Sequence, residues 1–79
     1  MSTALSDSVP PAAIPLTVNG EAREVPAGTT VAGLLATLGV VPRGSAVERN
    51  RQLVPRRAHA DTALEPGDRV EVVTLVGGG

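Results

Sequence analysis

Seventy-nine residues with a net charge of −1 suit one small domain, near the lower limit for a core held without staples. Cys, Phe, Trp and Tyr are all absent, which excludes disulfides, thiolate metal sites, a cysteine nucleophile and the aromatic platforms that stack single-stranded nucleic acid. One histidine, His59, is too few for a zinc site, the charge is wrong for a phosphate backbone, and no apolar run approaches the roughly twenty residues that cross a bilayer.

Met1-Ser2-Thr3-Ala4 lacks a basic n-region, so no secretory signal is expected, and a cysteine-free chain suits the reducing cytoplasm. Residues 1–13 are rich in Ser, Ala and Pro without periodicity and read as a disordered leader; Pro10-Pro11 lacks the PxxP spacing of a good ligand. Ile14-Pro15-Leu16-Thr17-Val18 alternates apolar and other residues, as a half-buried strand does. Asn19-Gly20 follows. A type I′ turn needs positive φ at both central positions, so this dipeptide predicts a hairpin that returns through Arg23-Glu24-Val25 to Pro26.

Ala27-Gly28-Thr29-Thr30 is a turn that ends in an N-cap, with the Thr30 (or Thr29) hydroxyl offered to the first helical N–H groups. Val31, Leu34, Leu35 and Leu38 form one apolar stripe at helical spacing, and Gly39 sits just past it as the C-terminal cap. Gly33 lies inside this helix at a cost of roughly 1 kcal/mol against alanine, which close packing on the sheet would explain. After the loop Val40–Gly44, Ser45–Arg49 reads as a strand with Val47 on one face and Ala46 and Glu48 on the other. Asn50-Arg51 offers a second tight turn, with a return through Gln52-Leu53-Val54 to Pro55. Arg56–Asp61 reads as irregular or a single helical turn, with Arg56 and Arg57 a solvated pair rather than a phosphate site.

Leu64 is expected to anchor its loop to the core. Pro66-Gly67-Asp68 predicts a turn, since proline presets φ and glycine accepts positive φ. It launches the last strand, Arg69 to Leu75, with Val70 and Val72 facing the core. Val73 and Leu75 then fall on the outer face, where an apolar pair in so short a chain suggests a partner-docking patch, with Val76 beside it. Gly77-Gly78-Gly79 closes the sequence and reads as a flexible tail. Three extended glycines reach about 10 Å and carry no side chains, which suits entry into a narrow active site.

The element order is strand, strand, helix, strand, short strand, strand. It predicts an α+β domain over residues 14–76, with one amphipathic helix on a mixed sheet of four to five strands; if the first and last strands sit side by side, they run parallel at its centre. All seven basic residues are arginine, so no ε-amino group is available to accept an acyl group.

Taken in order, the segments Val18-Asn19-Gly20-Glu21, Ala27-Gly28-Thr29-Thr30-Val31, Leu34-Leu35, Ala46-Val47-Glu48-Arg49-Asn50, Val54-Pro55-Arg56, Gly67-Asp68-Arg69-Val70-Glu71-Val72-Val73 and Val76-Gly77-Gly78-Gly79 resemble the β-grasp, ubiquitin-like sulfur carriers. The similarity covers residues 14–79 and is closest to the thiamine-biosynthesis branch, the ThiS family. It implies that the Gly79 carboxylate is adenylated by a ubiquitin-activating-type, ThiF-like adenylyltransferase using ATP and Mg, with no cofactor bound by the carrier itself. Sulfur from a donor such as a cysteine desulfurase then replaces AMP to give a thiocarboxylate, and a ThiG-like thiazole synthase consumes it. By this resemblance Gly77 and Gly78 form the tail, and the chain is a monomeric co-substrate rather than an enzyme. Other readings remain open here: the molybdopterin-synthase small subunit, the carrier of another thiolation pathway, a ubiquitin-like modifier of other proteins, or a binding module with an inert tail.

Overall fold

The computed structural model describes residues 12–74. Residues 1–11 of the expected leader, and Leu75, Val76 and the three glycines of the expected docking edge and tail, lie outside the described residues.

The elements are β1 (Ala13–Val18), β2 (Glu21–Pro26), helix α1 (Val31–Leu38), β3 (Ser45–Arg49), β4 (Gln52–Val54), a 3-10 helix over Arg56–Asp61, and β5 (Arg69–Thr74). They form one five-stranded sheet in the order β2-β1-β5-β3-β4. The two tight turns close antiparallel pairs, β1 with β2 and β3 with β4. β5 enters between them, parallel to β1 and antiparallel to β3, so the last described strand is the central one. This is the mixed sheet expected from the element order, in the β-grasp arrangement that the resemblance implies. β1 starts one residue earlier than alternation predicts. Ala13 pairs with Pro26, and the Ala12 carbonyl accepts a bond from Ala27 N–H at 2.7 Å, so the ordered domain includes residues 12 and 13.

Apolar side chains of β1, β3 and β5 cover the buried face of α1, and Val31, Leu34, Leu35, Val47 and Val70 are fully buried. Burying a branched aliphatic side chain contributes about 1.5–3 kcal/mol, so this cluster dominates the favourable side of folding. The helix starts and stops where local chemistry dictates. Thr30 Oγ1 accepts from Gly33 N–H at 3.1 Å, and Gly39 takes φ 74° to close the C-terminus. Leu64 is buried, as its anchoring role requires, and donates its N–H to the Thr29 carbonyl beside the helix start.

Gly33 is exposed rather than packed on the sheet. An added Cβ would meet Thr29 Cγ2 at 3.5 Å and Thr30 Oγ1 at 3.6 Å, both ordinary contacts. No packing requirement offsets its helical cost. Gly33→Ala is therefore expected to stabilise the fold by about 0.5–1 kcal/mol, read as a rise in the urea midpoint at unchanged slope.

The segment Arg56–Asp61, read as irregular or a single helical turn, is a 3-10 helix of six residues that tucks His59 into the interior. His59 Nε2 lies 3.1 Å from the Val54 carbonyl and so carries the proton; Nδ1 has no partner among the described residues. The histidine is thus a packing residue that ties the 3-10 helix to β4. Arg56 and Arg57 are exposed and make no ion pair among the described residues, in keeping with a solvated pair.

Candidate functional site

The strand that leads to the glycine end is held more densely than any sheet pattern required. Its entry is fixed by Asp68, which is 5% exposed. One carboxylate oxygen accepts from Arg49 Nε at 2.7 Å and from Glu65 N–H at 2.8 Å; the other accepts from Asn50 Nδ2 at 3.0 Å. Burial alone would raise the pKa of this carboxyl. The bonds from Arg49, Asn50 and Glu65, with the Arg49 charge, outweigh burial and hold it below its ordinary value.

Both type I′ turns also reach β5 through their asparagines. Asn50 and Arg51 take φ 54° and 70°, and Asn19 takes φ 51°, all in the left-handed region. Asn50 donates its backbone N–H to the Arg69 carbonyl at 2.7 Å and accepts Arg69 N–H on its side-chain oxygen at 2.9 Å. Asn19 does the corresponding work further along, with Oδ1 accepting Val72 N–H at 2.8 Å and Nδ2 donating to the Val72 carbonyl at 3.3 Å. Neither contact was anticipated from sequence, where Asn-Gly and Asn-Arg signalled turns alone.

On the sheet face turned away from α1, Val73 is 54% exposed and sits opposite Ala46 of β3. Leu53 of β4, 66% exposed, lies on the same face opposite Glu48, which in turn faces Glu71. Two like charges directly across a ladder are unfavourable, and neither glutamate has an ion-pair partner among the described residues. This stretch of the face is therefore apolar and acidic, with exposed Arg69 two residues before Glu71 at its edge. Of the residues expected to dock a partner, Val73 is on this face as anticipated; Leu75, Val76, and the tail residues Gly77, Gly78 and Gly79 are outside the described residues. Among the described residues, no group of three or more His, Asp or Glu is placed to hold a metal ion, and no helix is long and apolar enough to cross a membrane.

The ThiS family model matches residues 16–79. The sulfur carrier protein ThiS of Escherichia coli is 34% identical over 61 residues, covering 77% of this chain and 92% of that protein. A solved structure of the thiamine biosynthesis protein ThiS from Geobacter metallireducens superposes with a TM-score of 0.73 at 35% identity, over 84% of this chain and all of that one. Two proteins named thiazole synthase are also similar. That of Paramagnetospirillum magneticum is 47% identical over 64 residues, and that of Magnetococcus marinus 45% identical over 62. The chain spans only 20% and 19% of their lengths, so the likeness is to a ThiS-like segment of a much longer protein. Matched over most of its length by the family model, and by a carrier of nearly its own size, the chain belongs to the ThiS family.

Proposed function

We propose that this chain is the sulfur carrier of thiamine biosynthesis, and that the Gly79 carboxylate is the group that carries the sulfur. The observation that supports it most directly is the near full-length similarity to the sulfur carrier of Escherichia coli, within a family match that runs through the glycines to residue 79. A carboxylate is a poor electrophile until it acquires a good leaving group. Its oxygen attacks the α-phosphorus of ATP, pyrophosphate leaves, and the acyl adenylate forms on a partner adenylyltransferase that binds the ATP and Mg. A sulfur donor then displaces AMP, so that one oxygen of the carboxylate is exchanged for sulfur. The carrier contributes an unshielded acyl carbon and a docking surface, and its partners contribute the catalysis.

Thiazole synthase is the proposed acceptor. A segment similar to this chain within proteins of that name supports a working association between carrier and synthase. The direct test is the intact mass of the chain after incubation with a ThiF-like adenylyltransferase, ATP, Mg and a sulfur source. The expected gain is that of one oxygen replaced by sulfur. No gain, with the enzyme active on its own carrier, sinks the reading.

The stretch carrying Val73, Leu53, Glu48 and Glu71 suits docking to an apolar partner surface rimmed with basic residues; Leu75 and Val76 are proposed to take part in the same contact. Val73→Asp is expected to weaken binding to the adenylyltransferase by about tenfold or more, with stability within about 0.5 kcal/mol of the parent because the position is exposed. Titration calorimetry reads the affinity, and an unchanged value removes Val73 from the docking surface.

A further inference from the structure

In the parallel pairing of β1 and β5, Thr17 N–H donates to the Asp68 carbonyl at 3.0 Å and Asn19 N–H to the Val70 carbonyl at 2.9 Å. Continuing this ladder by one step would place the Asn19 carbonyl on Val72 N–H and the residue 21 N–H on the Val72 carbonyl. The backbone does neither. Positive φ at Asn19 and Gly20 turns it into the hairpin, and Glu21 pairs back onto Val18.

The Asn19 carboxamide takes the missing place. It carries the same C=O and N–H pair as a peptide group, and both ends are used on Val72. Side chain and backbone of one residue thereby hold β5 at Val70 and again at Val72. Thr74 turns its backbone groups towards the same side two residues on, by the period of the strand, and no described strand pairs with it there. Asn19 is thus the last described contact on that flank of β5 before the tail. Val72 lies seven residues ahead of Gly79.

We infer that Asn19 is a positioning residue for delivery of the sulfur-bearing end. Its carboxamide keeps the end of β5 docked, so that the tail departs from a fixed point when the chain meets its partner. This rests on the sulfur-carrier reading. The turn itself does not need the carboxamide, since glycine takes the same positive φ without steric penalty. A chain with Asn19→Gly keeps the hairpin and loses the clip. Asn19→Asp keeps the acceptor for Val72 N–H but places an anionic oxygen against the Val72 carbonyl.

The experiment has two arms. Native-state amide exchange, measured without any partner, is expected to show Val72 exchanging about tenfold faster in Asn19→Gly, with Leu16 in the hairpin unchanged. In charging assays with the adenylyltransferase, KM for the carrier is expected to rise several-fold, because only the docked fraction binds productively, while kcat at saturation stays within about twofold. Asn19→Asp is expected between parent and glycine variant in Val72 exchange. Unchanged Val72 exchange in Asn19→Gly overturns the clip, and faster exchange with an unchanged KM overturns its role in delivery. A parent chain that gains no sulfur defeats the carrier reading and this inference with it. A charged parent with an indistinguishable Asn19→Gly variant defeats this inference alone.

Discussion

Replacing Gly79 with valine is expected to leave the fold and its unfolding midpoint unchanged and to lower the rate of charging by about a hundredfold or more. The substituent sits on the carbon next to the carboxyl, so a β-branched group shields the acyl carbon from one side. It also adds bulk where the adenylyltransferase must bring that carboxyl against the α-phosphate. In reactions governed by positioning, a displacement of about 1 Å can cost on the order of a hundredfold, and an isopropyl group at the reacting end displaces at least that far. Intact-mass kinetics at saturating ATP measure the effect. A Gly79→Val chain charged at the parent rate would remove Gly79 as the sulfur-bearing residue. Deleting Gly79 shortens the reach by about 3.5 Å and is expected to behave in the same way.

The second large effect concerns stability. Asp68→Ala leaves Arg49, Asn50 Nδ2 and the Glu65 N–H without their shared acceptor in a part-buried position. Removing one member of such a cluster is expected to cost about 3 kcal/mol. In a domain of this size that lowers Tm by roughly 12–24 °C, measurable by calorimetry. The pH dependence follows from the direction of the Asp68 shift. Its pKa is lower in the folded chain than in the unfolded one, so folding favours the ionised form. Its contribution is complete above the unfolded value of about 3.9 and fades as the pH falls below that and through the folded value. Parent and Asp68→Ala should therefore differ most near neutrality and converge in acid. A gap that stays constant from pH 7 to pH 2.5 would contradict the assignment.

Local signals made much of the fold legible in advance. Asn19-Gly20 gave the first hairpin because so few residues tolerate positive φ, and Thr30 and Gly39 bracketed the helix because their chemistry fits its two ends. Period-two alternation placed Val70 inside and Val73 outside. The remainder depends on partners that a linear pattern does not pair. Asn19 and Val72 are 53 positions apart, and Arg49 and Asp68 are 19 apart. Nothing in either neighbourhood marks one residue as the other's partner. Ala13 joins β1 only because Pro26 lies across from it, and Arg56–Asp61 becomes a 3-10 helix although its polar composition carries no apolar stripe. The outward position of Val73 was legible through alternation; that Leu53 and the Glu48–Glu71 pair share its face emerged only once the strand order was known.

The parallel alignment of β1 and β5 also has a mechanical meaning. A partner that grips the tail pulls along β5 from its C-terminal end, while β1 runs in the same direction beside it. Drawn against the start of β1, the two strands must slide past one another. The bonds at Asp68 and Val70 and the Asn19 pair at Val72 are then stretched together in shear, rather than opened one at a time as in a zipper. On its other flank β5 is antiparallel to β3, whose own attachment to β4 shares the load. Traction along β5 from its C-terminal end therefore meets these bonds side by side rather than in succession.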